Sequence, residues 1–258
     1  MKVRISLAAF VMAVMWQVVG LSAAFSGSLL QVEGRLLKWE PQTSTNSTVI
    51  TYSILTAPYL VPGNKSILSP SNCAAMHAFS DIVAQSPKVP VEAARRELRA
   101  AFAAWEEVAN VTFIETTDPR GADLIIGAQD IPEGKAFANL SYRSGRATAP
   151  VAKALGDPTP RPVVHSDDKA ANGATSGIDQ AYVCLNPKTA WKVGFDGNLN
   201  VYDLRYTFTH EIGHAIGLDH PDRMDALMAY RYDEHVRMLQ PSDIAAAQKL
   251  YGPRKLEE

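Results

Sequence analysis

Apolar positions along the chain change period several times, and each change marks an element. Val49-Ile50-Thr51-Tyr52-Ser53-Ile54-Leu55 is β-branched and aromatic and stops near Pro58, which predicts a first strand. From Val91 to Ala109 the period becomes helical. Val91, Leu98, Phe102 and Trp105 fall on one side, and Arg95, Arg96, Arg99, Glu106 and Glu107 lie mostly on the other, so this helix is expected to cross a sheet. Val111 to Thr116 and Ala122 to Ala128 read as strands separated by Asp118-Pro119-Arg120-Gly121, and Lys135 to Leu140 and Ala181 to Asn186 as two shorter ones. Tyr202 to Gly217 predicts a second helix, and Asp243 to Tyr251 a third, with Ser242 as its N-cap after Pro241. Strand, helix, then four strands describe a mixed α/β domain whose first connection is a helical crossover.

Two stretches carry little periodicity. Residues 61–90, rich in proline, are expected to be a surface insertion, with a short helix over Ala74 to Ala84. Residues 144–177 hold four Gly and four Pro and predict a long loop, of the kind that is usually functional or disordered. The domain is therefore placed at 48–252, after a short N-terminal segment at 25–47 and before a polar tail at 253–258.

Composition narrows the partners. The 258 residues carry 25 basic and 27 acidic side chains, a formal net charge of −2, which excludes a nucleic-acid binder working by positive charge. Residues 1–24 differ from the rest: Lys2 and Arg4, an apolar run from Ile5 to Val19, and small residues ending at Ala24. This reads as a secretory signal, because its apolar core of about 15 residues is short of the roughly 20 that span a bilayer. The product is expected to be secreted or extracellular, or periplasmic in a Gram-negative bacterium, with no membrane span after signal cleavage. Export favours bridging of the two cysteines, Cys73 and Cys184. It also makes the sequons at Asn46, Asn64, Asn110 and Asn139 candidate glycan acceptors.

The chemistry is concentrated in His210-Glu211-Ile212-Gly213-His214-Ala215-Ile216-Gly217-Leu218-Asp219-His220. On a helix, His210 and His214 stand one turn apart on one face and can grip one cation, with Glu211 beside them. Gly217 can adopt a backbone conformation closed to other residues, ending the helix so that His220 returns as a third ligand. Three neutral imidazoles and one open position describe a catalytic zinc, in which Glu211 is the general base.

Eight residues on, Met228 lies within Asp225-Ala226-Leu227-Met228-Ala229-Tyr230. With this methionine the chain resembles the metzincin metallopeptidases, and the short gap from His220 resembles their matrixin branch, the family of the matrix metalloproteinases. Thr51 to Ile54, Ala101 to Trp105, Ala122 to Ile126, Asp243 to Gln248 and Leu250-Tyr251-Gly252 are similar to matrixin elements in order and spacing. The resemblance implies a zinc endopeptidase acting on protein or peptide substrates, a monomer, with a twisted five-stranded sheet, three helices, and calcium in many members. It also implies an edge strand that binds extended substrate, for which Ala136, Phe137 and Ala138 are the candidates.

Several positions depart from the family. Matrixins commonly hold a second, structural zinc with histidines on the fourth and fifth strands. Here Phe137 and Cys184 stand at those positions, which implies that the second site is missing and favours a Cys73–Cys184 pair. His165, Asp167 and Asp168 read as a polar loop or a metal cluster, the loop being the simpler case. Asp196, Asn198 and Asn200 alternate as calcium ligands do, yet a turn accounts for them equally well. Tyr230 is either a zinc-facing hydroxyl or a wall of the pocket beyond the scissile bond, with Tyr232 beside it. Ser242 replaces an aspartate that pairs with the new amino terminus in many matrixins, whereas Asp243 matches the residue that braces the methionine turn. The long propeptide of the family is expected to be missing, and residues 25–47 are a candidate short latency segment in which Glu33 or Glu40 could occupy the open zinc position, although nothing in the spacing demands it.

Overall fold

The computed structural model describes residues 27–41, 47–61, 71–130, 132, 134–143, 151–155 and 174–255, the run 151–155 by its backbone alone. Five strands form the centre of a mixed sheet: β3 (Thr48–Ile54), β6 (Val111–Glu115), β7 (Leu124–Ala128), β8 (Ala136–Tyr142) and β10 (Thr175–Leu185). Their order is β6-β3-β7-β10-β8, parallel except for β8, which runs antiparallel to β10. Helix α1 (Val91–Val108) makes the β3-to-β6 crossover, as its amphipathic period requires. Phe102 packs between Tyr52 and Phe113, with ring centroids at 4.3 and 4.5 Å. Helix α2 (Leu204–Ala215) lies against α1, held by the Trp105 indole N–H on the Thr209 carbonyl (2.9 Å) and by Arg205 on buried Glu97 (2.6 Å). Helix α3 (Pro241–Tyr251) closes the chain.

The central strands alternate between two buried faces, as a sheet covered on both sides must. Leu124, Ile126, Ala136, Ala138, Ala181 and Val183 join the main core beneath the helices. Ile125, Phe137, Tyr182 and Cys184 form a second layer on the opposite face, with Cys73 and Met76 above them. Cys73 and Cys184 are disulfide-bonded, with Cα atoms 5.6 Å apart.

The structure corrects several expectations. The sheet has eight strands among the described residues where five were expected. Two of the additions, β1 (Gln31–Val32) and β2 (Arg35–Lys38), come from the segment read as a latency peptide; β2 runs parallel to the start of β10. The third, β9 (Val151–Leu155), arises inside the expected long loop and pairs with β8, Ala136 opposite Leu155, Phe137 opposite Ala154 and Ala138 opposite Lys153. Ala136, Phe137 and Ala138 are therefore not on an edge: β8 is flanked by β10 and β9, and all three side chains are buried.

Residues 71–90 are not a loose surface insertion. β4 (Tyr59–Leu60) pairs with β5 (Ala75–Met76), and a short 3-10 helix (Phe79–Val83) buries Phe79 and Ile82 in the main core. The N-cap of α3 is Gln240, in a capping box with Asp243, and Pro241 takes the first helical position, where its missing N–H costs nothing. Asn139 is fully buried, its amide bonded to the Asn72 carbonyl (2.8 Å), which removes it as a glycan acceptor. In the expected tail, Pro253 bridges to Ala109 and Arg254 bonds the Glu106 carbonyl. Residues 1–24, Asn46, Asn64, His165, Asp167, Asp168 and 256–258 lie outside the described residues. Among those described, no helix is long and apolar enough to cross a membrane.

Candidate metal centre

Helix α2 is buried almost all round, unlike a surface helix with one apolar stripe. It starts at Asp203, whose carboxylate accepts the Tyr206 N–H (2.8 Å) and, from outside the helix, the Gly194 N–H (2.6 Å). Burial pushes the Asp203 carboxyl above the usual range, against the pull of those N–H donors. The helix ends in a Schellman turn: the Leu218 N–H reaches the Gly213 carbonyl and the Gly217 N–H the His214 carbonyl, each at 2.9 Å. Gly217 has φ +97°, so the left-handed position goes to the residue that tolerates it.

This turn brings His220 back to His210 and His214. The three Nε2 atoms form a triangle with sides of 3.1 Å, and among the described residues these histidines are the cluster able to hold a metal ion. Ligands at the usual Zn–N distance of about 2.0–2.1 Å from a tetrahedral ion stand about 3.3–3.4 Å apart, so the triangle fits zinc. The other ring nitrogens favour the same conclusion. Nδ1 of His210 lies 2.9 Å from the Leu227 carbonyl and Nδ1 of His214 2.9 Å from the Leu218 carbonyl, which keeps a proton on Nδ1 and presents Nε2 to a metal. Glu211, adjacent to His210, is fully buried, and His220 is partly exposed.

Met228 lies beneath the ligand helix. A Cβ built on Gly213 would meet its Sδ at 2.3 Å. The turn carrying it is held from α3, where Asp243 accepts the N–H groups of Leu227 (2.9 Å), Met228 (3.3 Å) and Gln240 (2.8 Å). Burial raises the Asp243 pKa, and those donors hold the rise back. Asp243 thus reaches His210 through Leu227, whose N–H it binds and whose carbonyl faces the imidazole.

Tyr230 is half-buried, with the Arg231 guanidinium over its ring at 5.5 Å. The Tyr232 hydroxyl is committed elsewhere: it donates to Glu234 (2.8 Å) and accepts the Asp203 N–H (2.9 Å), while the ring stacks on Tyr202 at 4.3 Å. Tyr232 therefore braces the segment after Met228 and does not offer a zinc-facing hydroxyl. Asp196, Asn198 and Asn200 form a turn in which Lys192 bonds the Asp196 carboxylate and the Asn198 carbonyl, and Lys135 the Asn200 carbonyl. Two ammonium groups thus take oxygens that a calcium ion would need. Phe137 and Cys184 are direct cross-strand partners, and the Cys184 sulfur is taken up in the disulfide with Cys73.

Sequence reasoning missed two groups. One is Lys192 and Glu234, which join the turn before α2 to the segment after Met228. The other is the N-terminal hairpin, whose Trp39, Leu30 and Leu37 contact the end of α2 and the turn that follows it. Its signal was present in Glu33-Gly34 flanked by Leu29, Leu30, Leu36 and Leu37. Both turn residues have positive φ, 53° and 71°, as a two-residue hairpin turn requires.

The chain matches the matrixin model of the M10 peptidases over residues 76–252. Among curated relatives, it is 29% identical to human matrix metalloproteinase-19 over 169 residues, 64% of this chain and 27% of that protein. It is 30% identical to mouse matrix metalloproteinase-16 over 192 residues, 69% and 27% of the two chains. It is also 30% identical to a serralysin of Photorhabdus laumondii over 130 residues, 50% and 20%. The chain spans about a quarter of the length of these relatives.

Proposed function

The chain belongs to the matrixin family, and on that premise we propose that it is a secreted zinc-dependent endopeptidase that hydrolyses peptide bonds of extended protein substrates. The observation that carries this reading is the 3.1 Å triangle of Nε2 atoms from His210, His214 and His220, with buried Glu211 beside it on the same helix. The relatives named as matrix metalloproteinases and serralysin support the same class.

When bound, zinc supplies Lewis acidity, making water a nucleophile near neutral pH and polarising the scissile carbonyl. The protein supplies the rest. Glu211 accepts a proton from the attacking water at a carboxylate oxygen and returns it to the nitrogen of the leaving amine as the C–N bond breaks. Burial of Glu211 excludes bulk water from that transfer. The carbonyls of Leu227 and Leu218 hold the imidazoles of His210 and His214 in the ligating tautomer. Residues 230–241 wall the pocket for the side chain beyond the scissile bond. Extended substrate adds as a strand to the outer edge of β9, which pairs on its other side with β8 and runs beside α2. Secretion is supported by the leader-like residues 1–24 and by the Cys73–Cys184 disulfide, which suits an oxidising compartment.

The test is Glu211→Ala. The variant should keep the zinc content of the parent and lose cleavage of an unfolded protein by at least about a hundredfold, the size of a general-base contribution. Undiminished cleavage would refute the assigned base.

A further inference from the structure

The last carbonyls of a helix need donors from elsewhere, and at the end of α2 they find them in the N-terminal hairpin. The Schellman turn uses the carbonyls of Gly213 and His214. The next three belong to Ala215, Ile216 and Gly217. The Trp39 indole N–H donates to Ala215 (2.9 Å), the Tyr251 hydroxyl to Ile216 (2.6 Å) and the Leu30 N–H to Gly217 (2.9 Å). Even the one donor from α3 is tied to the hairpin, because the Tyr251 oxygen accepts the Trp39 backbone N–H (3.1 Å).

The contact continues along the turn. The Asp219 N–H donates to the Ser28 carbonyl (2.9 Å) and Leu29 bridges antiparallel to Leu218, so residues 28–30 lie as a short strand along residues 217–219. Residues 216–219 are all that separates the end of α2 from His220. The Leu218 carbonyl, on the same stretch, faces Nδ1 of His214. From the other arm of the hairpin, the Leu37 carbonyl presses on Gly217, where a Cβ would come within 2.2 Å. The hairpin is itself closed by the Leu37 N–H on the Leu30 carbonyl (3.0 Å) and fixed to the sheet by Arg35, whose guanidinium binds the Thr175 carbonyl at 3.0 and 2.6 Å.

We propose that residues 28–39 are a positioning clasp for the metal-ligand turn, setting His220 and the Leu218 carbonyl behind His214 through the backbone of residues 215–219. His210 and His214 ride on one rigid helix, whereas His220 comes from a loop whose path is set by what it packs against. The segment before the domain is thus a part of the metal centre and not a cover to be removed from it. Glu33, in the exposed hairpin turn, and Glu40, exposed just after Trp39, have no part in this arrangement. The clasp rests on the zinc reading given above but not on peptidase activity.

The test measures zinc affinity of the full chain by competition with a chromophoric chelator, together with the visible spectrum of the cobalt-substituted protein. Trp39→Phe keeps a ring in place and removes the indole donor. Tyr251→Phe removes the Ile216 donor and the acceptor for Trp39, and serves if the first variant does not fold. Ile50→Val, in the core of β3 away from the turn, is the control for lost stability alone. Either clasp variant should bind zinc about 10–100-fold more weakly than the parent, the usual effect of losing an outer support, with an altered cobalt spectrum; Ile50→Val should change neither. Parent-like affinity and spectrum in the folded clasp variants would overturn the clasp and leave the zinc reading standing. A parent that binds no zinc would overturn both.

Discussion

Gly213 and Met228 fit each other so closely that neither position can grow. A Cβ on Gly213 would lie 2.3 Å from Met228 Sδ and 2.9 Å from its Cε, with Trp105 Cζ2 also at 2.9 Å. Glycine inside a helix costs about 1 kcal/mol relative to alanine, and here that cost allows the methionine turn to close beneath the ligand helix.

Gly213→Ala should therefore destabilise the protein by about 1–3 kcal/mol despite its better helix propensity, as overpacking does in a tight core. Adding Met228→Ala should recover part of that loss, because the two side chains compete for one space. Thermal unfolding of the two single variants and the double variant checks this. A more stable Gly213→Ala protein would mean that the turn moves freely and does not constrain the helix.

Glu234 links the pocket segment to the turn before α2. It accepts from Lys192, from the Gly197 N–H (2.6 Å) and from the Tyr232 hydroxyl (2.8 Å). Burial pushes its pKa up, but these donors outweigh burial and hold it below the ordinary value of 4.5. A carboxyl with a lower pKa in the folded than in the unfolded state contributes stability that is complete above the unfolded value and is lost as pH falls through the folded one. Stability of the metal-free protein should thus decline below about pH 4.5 with a component that Glu234→Gln removes. The metal-free form is used so that acid release of a bound metal does not enter the profile, and comparison with Glu234→Gln isolates this one carboxylate from every other titrating group. An unchanged acid profile in Glu234→Gln would mean that the link contributes no stability.

The disulfide joins residues 111 apart in sequence and staples residues 71–78 over the outer face of the sheet. Its removal should cost about 3–5 kcal/mol, from the loop it closes in the unfolded chain. Zinc content should not change, because Phe137 and Cys184 lie on the face away from the helices. Mass with and without reductant should differ by two hydrogens, and chemical unfolding should report the loss. No mass difference would mean that the thiols are free and would return Cys184 to the candidate metal ligands.

β9 occupies the side of β8 that was expected to meet substrate. Replacing Val151–Leu155 with a flexible linker should raise KM several-fold for a long peptide and leave zinc content intact, since the replaced strand offers the pairing edge. A lower KM would show instead that β9 blocks the edge and that substrate pairs with β8.

Sequence periodicity revealed the elements whose burial is one-sided or continuous and failed where structure depends on a distant partner. The α1 period and the β3, β7 and β10 runs were legible because each buries a face of its own. The three histidines and Gly217 were legible because helix geometry and one left-handed residue are enough to bring them together. Val151–Leu155 was not, because between Pro150 and Gly156 it has no period beyond chance and becomes a strand by pairing with β8. The Glu33-Gly34 turn was readable, but nothing local says that Trp39 meets the Ala215 carbonyl 176 residues away. Lys192 and Glu234 were likewise unremarkable charges until the fold brought them together.

The central claim is a zinc site that cuts peptide bonds, and its most direct measurement is cleavage of an unfolded protein by the purified mature chain, before chelation, after it, and after zinc is restored, with zinc counted in each state. The account predicts one zinc per chain, cleavage that disappears with the metal and returns with it. Cleavage that persists in zinc-free protein, or a full zinc complement with nothing cut, would contradict it.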